Sequence, residues 1–182
     1  MLARAMRRRL AIVGLLVAVA TGVLVGCGEE EELEVVEGEP LELGDLGYNV
    51  QLTRFLNPDD TEDSEYLIGQ PEAGPGTSYL GVFVIIENHN EDEVMPSAAE
   101  YVVVDTLGNE YEAIESQSPY ALEIGATVPA DGDLPIPDST AASGPTQGAL
   151  LLFVVADSVT EDRPVELEIP SGSETGRVEL DI

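Results

Sequence analysis

Tyr79-Leu80-Gly81-Val82-Phe83-Val84-Ile85-Ile86-Glu87, residues 79–87, is an apolar run rich in β-branched and aromatic side chains and interrupted only by Gly81. Those residue types favour the pleated surface of a strand, and a run that is apolar at every position has no face left for water. Leu150 to Ala156 (LLLFVVA) has the same character. Two such strands belong at the centre of a fold. Around them the sequence switches to a period of two: Leu46, Tyr48, Val50 and Leu52 alternate with Gly47, Asn49, Gln51 and Thr53, which puts the apolar set on one face and the polar set in water. Residues 100–106 and 110–114 read as a hairpin turning through Leu107-Gly108-Asn109, with glycine and asparagine supplying the positive φ of a tight turn. At the end of the chain Val165, Leu167 and Ile169 alternate with glutamates, and after a turn at residues 171–176 so do Val178, Leu180 and Ile182 with Arg177, Glu179 and Asp181. Short strands separated by turn signals, with almost no helical periodicity, predict an all-β sandwich over 46–182.

Two segments do not read as strands. Residues 57–78 are rich in proline, glycine and acids and predict a long loop with a short helical turn; residues 115–148 hold Pro119, Pro129, Pro135, Pro137 and Pro145 and predict short strands between loops. Long loops in compact domains are usually functional. In a two-layer sandwich each sheet shows one face to water, so the doubly apolar strands at 79–87 and 150–156 need a cover. Either these two loops supply it, the preferred reading, or the strands leave an exposed patch suited to a partner.

Outside the sandwich, Arg4, Arg7, Arg8 and Arg9 precede a 16-residue apolar run, Leu10 to Val25, that ends at Gly26 and Cys27, the only cysteine. A spanning helix needs about 20 apolar residues, whereas an export signal needs a cationic start, a shorter apolar core and a small residue at the cut. Leu24-Val25-Gly26-Cys27 resembles the bacterial lipobox, in which the cysteine thiol receives a diacylglycerol and the chain is cut before it. Two acyl chains hold a protein stably, since each buried methylene contributes about 0.8 kcal/mol. Residues 1–26 therefore read as a signal helix and 27–45 as an acidic flexible tether, with eight glutamates in residues 28–44 and with Leu33, Val35, Val36, Leu41 and Leu43 leaving room for a first strand near its end. The expected location is the outer face of the cytoplasmic membrane.

The formal net charge is −29, and because the leader carries four of the seven arginines the remainder carries −33. Lysine is absent, and the arginines beyond the leader are Arg54, Arg163 and Arg177. Such a surface repels nucleic acid and anionic headgroups, leaving the lipid anchor and an envelope protein as the expected partners. For chemistry there is one histidine, His89, and neither a triad nor a zinc site can be assembled from one histidine and a lipidated cysteine. No enzymatic activity and no cofactor are expected. Calcium is the second reading, because acidic loops at one end of a sandwich can pool carboxylates. The candidate ligands are Asp59, Asp60, Glu62 and Asp63, with Asp131 and Asp133. They do not form an EF-hand: counting from Asp59, the sixth position is Ser64 instead of glycine and the twelfth is Gln70 instead of glutamate.

Gly47-Tyr48-x-Val50, Ile86-Glu87-Asn88, the hairpin Val104-Asp105-Thr106-Leu107-Gly108-Asn109-x-Tyr111, Gly148-x-Leu150-Leu151-Leu152-Phe153 and Pro164-x-Glu166-Leu167 resemble the immunoglobulin-like domain of unknown function in Gram-positive and actinobacterial lipoproteins. That group in turn resembles the mycobacterial secreted immunoprotective antigen. The resemblance implies an immunoglobulin-like sandwich outside the membrane and brings no catalytic residues with it. The cysteine pair of antibody domains is missing here.

Overall fold

The computed structural model describes residues 33–182; the leader, Leu24, Val25, Gly26 and Cys27 lie outside the described residues. The strands are β1 (Glu34–Val36), β2 (Pro40–Leu43), β3 (Leu46–Leu56), β4 (Thr77–Asn88), β5 (Met95–Pro96), β6 (Val102–Val104), β7 (Glu110–Glu112), β8 (Thr127–Val128), β9 (Asp133–Leu134), β10 (Ala149–Ala156), β11 (Val165–Ser171) and β12 (Glu174–Leu180), with one helix, α1 (Thr61–Tyr66), and a 3-10 turn at Asp157–Thr160. They form two layers. The first sheet runs β1-β12-β11-β6-β7; the second runs β10-β4-β3-β2, with β9 added at the end of β4, and β5 and β8 make a small separate ribbon.

Between the layers lies the main core. Leu80, Val82, Val84 and Ile86 of β4 and Ala149, Leu151, Phe153 and Val155 of β10 point inward from the second sheet, and Val103, Val165, Leu167, Ile169 and Val178 meet them from the first. The alternation that the sequence displays is thus the alternation of core and outer face. β4 and β10 pair antiparallel over eight residues, from Ala149 opposite Val84 to Ala156 opposite Thr77.

The two seams are closed by chain that changes sheet. β1 pairs parallel with β12, and Arg177 N donates to Leu33 O at 2.7 Å; the chain then turns and β2 pairs with β3 of the other sheet. Glu37 sits in that turn. Its Oε1 accepts from Thr53 N and its Oε2 from Asp181 N, both at 3.1 Å, so one carboxylate staples the layers together. On the other side β7 pairs with β6, and two residues later Ile114 bridges to Leu152. Leu122 N donates to Leu150 O and Leu150 N to Tyr120 O, each at 2.8 Å, so the edge of β10 is paired and protected from other strands.

Three expectations are corrected. Residues 34–43, assigned by their charge to the 27–45 tether, are strands β1 and β2, with Leu41 and Leu43 buried in the core. The apolar residues there alternate with glutamates, so the charged face is simply the wet face of a strand. Leu52 does not share a face with Leu46, Tyr48 and Val50: the β3–β4 register shifts between Val50 and Leu52, and the extra residue of a bulge reverses which side each later residue faces. Leu52 is exposed and Thr53 is buried in consequence. The two hairpins differ in length from expectation: β6 and β7 are three residues each, and the last turn is only Gly172-Ser173, with Gly172 at φ +62.

Candidate functional site

The outer face of the second sheet is where the loops converge. Tyr79, Phe83, Leu150 and Leu152 point outward, and with Leu56, Tyr66 and Leu67 they form a second buried apolar cluster. The 57–78 loop and residues 114–120 therefore cover the doubly apolar strands, as the preferred reading expected. α1 begins at Asp60, whose carboxylate accepts from Glu62 N at 2.9 Å and Asp63 N at 3.3 Å; an N-cap of this kind satisfies otherwise orphaned donors. It lays Tyr66 edge-on against Phe83 and Tyr120, with centroids 5.0 Å away in both cases.

Arg54 comes up from β3 to meet this helix. Its guanidinium lies 2.7 Å from Glu62 and 2.8 Å from Asp63, with its carbon 5.6 Å from the Tyr66 ring centroid. Asp63 also accepts from Asn57 N at 2.8 Å and is buried. Thus Asp60, Glu62 and Asp63, offered above as cation ligands, are a helix cap and the two partners of an arginine, while Asp59 is exposed. Asp131 and Asp133 are elsewhere: Asp133 pairs with Glu87 and Leu56 with Tyr79, and eight residues of strand between them span about 26 Å. The structure does not bring the two acidic sets together. Among the described residues no three His, Cys, Asp or Glu side chains form a group that could hold a metal ion. His89 is half exposed, with Nε2 3.1 Å from Glu42 Oε2.

The outer face of the first sheet is open and charged. Arg177 lies 2.9 Å from Glu168 and 3.9 Å from Glu166, and Glu166 stands directly opposite Glu179. Partial burial and the charge of Glu34 raise the Glu166 pKa, Arg177 opposes this, and Glu168 and Glu179 add to it.

One feature was not read from the sequence. Residues 134–148 loop over Ile85, the outward residue of β4 beyond the cover, and line an open surface cleft of about 440 Å³. The available signal was Ile136-Pro137-Asp138-Ser139: proline at the second turn position with Ser139 N donating to Ile136 O and a positive φ at Asp138 is the pattern of a type II turn.

No protein-family model matches the sequence, and no curated protein does. Solved structures do. A β-sandwich protein from Clostridium difficile 630 has TM-score 0.51 at 16% identity, over 84% of this chain and 97% of its own. The yjhA protein of Bacillus subtilis has TM-score 0.52 at 12% identity, over 80% and 99%. A secreted protein of Mycobacterium tuberculosis, MPT63, has TM-score 0.52 at 14% identity, over 84% and 99%. The chain is a β-sandwich of their kind. At these identities the likeness is one of fold, and it includes the mycobacterial secreted type that the sequence motifs resemble. No helix among the described residues is long and apolar enough to cross a membrane.

Proposed function

We propose that this chain is a lipoprotein held on the outer face of the cytoplasmic membrane by a diacylglycerol on Cys27, with an immunoglobulin-like sandwich that binds another envelope protein and catalyses no reaction. The observation that carries the reading is Leu24-Val25-Gly26-Cys27 at the end of its 16-residue apolar run. The fold adds a dimension. Among the described residues the ladder bonds of the sandwich begin at Leu33, six residues beyond Cys27, and six extended residues reach about 20 Å at most. The sandwich is then held close to the membrane on a short leash rather than on a long tether. A non-catalytic role is supported by the lone His89, held to a glutamate on the surface, and by acids at α1 that are committed to a cap and an ion pair.

The test is Cys27→Ser in the full chain. The variant is expected to lose incorporation of labelled fatty acid and to keep its leader uncleaved; normal labelling would overturn the anchor. Crosslinking of the intact lipoprotein in envelopes is expected to recover one defined protein, and a chain that crosslinks to nothing would remove the binding role while leaving the anchor standing.

A further inference from the structure

The leash from Cys27 enters the sandwich at a definite end. β1 runs parallel to β12, with Glu34 opposite Arg177 and Val36 opposite Glu179, so Leu33 lies on the side from which β12 starts. The β11–β12 turn at Gly172-Ser173 lies further out on that side, with Ser173 four residues before Arg177, about 14 Å of strand. The second sheet has the same sense. Gly176 packs against β2 so closely that a Cβ there would sit 2.6 Å from Leu41 Cδ2 and 3.0 Å from Leu43 Cδ2. Leu41 pairs with Tyr48 and Leu43 with Leu46, and these pair in turn with Ile86 and Asn88 at the end of β4. The start of β1, the Gly44-Asp45 turn, the end of β4 and the 172–173 turn therefore share one end of the molecule.

The opposite end is far from the leash. Thr77, at the start of β4, is nine residues from Ile86, about 30 Å of strand. Asp157 joins it there: its N donates to Gly76 O at 3.0 Å, and its carboxylate accepts from Ser78 Oγ at 2.7 Å. The six residues from Cys27 to Leu33 reach about 20 Å at most. With Cys27 at the headgroups, that reach lets the 172–173 turn, about 14 Å below Leu33, come down to the membrane surface. Standing on the Asp157 end would need Leu33 about 30 Å up, beyond the leash. Lying flat is opposed by charge. Beyond the leader the chain carries −33, and a body tethered at one end above a surface of its own sign is pushed away until the tether is taut. A flat domain would also lay the exposed Glu34, Glu39, Glu42 and Glu179 of the β1–β2 flank along anionic headgroups.

We propose that the anchored domain stands upright, with the turns at 44–45 and 172–173 next to the headgroups. The end built from residues 57–76 and 157–164 then points away and is the surface open to the envelope protein. This inference rests on the lipid anchor of the proposed function and adds which surface a partner can reach.

The experiment places Ser173→Cys or Ser158→Cys, both exposed turn positions, in the full chain. The purified lipoprotein, its Cys27 sulfur blocked by lipid, takes a fluorophore at the new thiol and is put on phosphatidylglycerol vesicles carrying a headgroup nitroxide. Quenching at 173 should exceed quenching at 158 at least about threefold, since about 40 Å of strand separates the two positions. A Gly-Ser spacer of about 20 residues inserted after Gly28 should remove most of the quenching at 173, because leash length sets the placement. Equal quenching at the two positions in chains that carry fatty acid and float with the vesicles would overturn the orientation and leave the anchor standing. Quenching at 173 that survives the spacer would also overturn it, since the turn would then be held by lipid contact. A chain without fatty acid that does not float would overturn the anchor and the orientation together.

Discussion

Asp105 shows how much one side chain organises. Its carboxylate accepts from Leu107 N and Asn109 N at 2.9 Å, from Asn109 Nδ2 at 2.8 Å and from Tyr111 OH at 3.3 Å, and it is buried. Burial by itself would raise its pKa; the hydrogen bonds from Asn109, Leu107 and Tyr111 outweigh that and lower it. Because the folded value lies below the unfolded one, near 3.9, the stabilisation is complete above about pH 4 and is lost as pH falls below it. Asp105→Ala is expected to cost about 2 kcal/mol at pH 7, since several donors lose their acceptor together. Urea denaturation measures this. Asp105→Asn should flatten the acid limb of stability below pH 4, and an acid limb as steep as that of the parent would show that another group sets it.

At the level of elements, the α1 cover is fastened by Arg54, and its two carboxylates are unequal. Glu62 is 44% exposed and Asp63 only 7%. Removing Glu62 breaks a solvent-screened pair, and Glu62→Ala should cost less than about 1 kcal/mol. Arg54→Met leaves the Asp63 carboxylate buried without its counterion; with Arg54 itself about a third open to water, the cost should be about 2 kcal/mol, below that of a fully buried pair. Asp63→Leu added to Arg54→Met should recover part of it. Equal losses for Glu62→Ala and Arg54→Met in urea titrations would mean that the pair does not hold the helix. The same elements mark what was legible in the sequence. β4, β10, β11 and β12 were plain because uninterrupted or alternating apolar residues determine them. β1 and β2 were only half legible: their apolar residues left room for a strand, but glutamates on the wet face look like a repelling spacer when the partner strand is unknown. The acids at 59–63 looked like ligands because nothing local reveals that Arg54, on the preceding strand, folds back onto them. The cleft over Ile85 depends on Leu134 and Gly148 both meeting β4, which is a matter of tertiary placement.

Over the whole molecule, charge sets the conditions under which this fold is most stable. With a formal net charge of −29, self-repulsion opposes the compact state, and like charges directly opposite on a sheet, such as Glu166 and Glu179, add to it locally. The Glu166 pKa is raised, by burial first and by the charge of Glu34 next, against the pull of Arg177. A carboxyl whose folded pKa exceeds its unfolded value, about 4.3, binds protons more readily when folded. Its contribution to stability is therefore missing at pH 7 and is gained as pH falls through the folded value. Asp105 acts in the opposite sense and only lower down. Stability should rise from pH 7.5 to about pH 5 and fall again below about pH 4, and added salt, which shortens the Debye length to about 8 Å at 0.15 M, should raise it at pH 7.5. Glu166→Gln should remove part of the rise while leaving the fall below pH 4 intact. The urea midpoint of the full chain across pH and sodium chloride measures both effects. A midpoint that declines steadily from pH 7.5, or that ignores salt, would mean that specific pairs such as Arg54 with Asp63 outweigh the general repulsion.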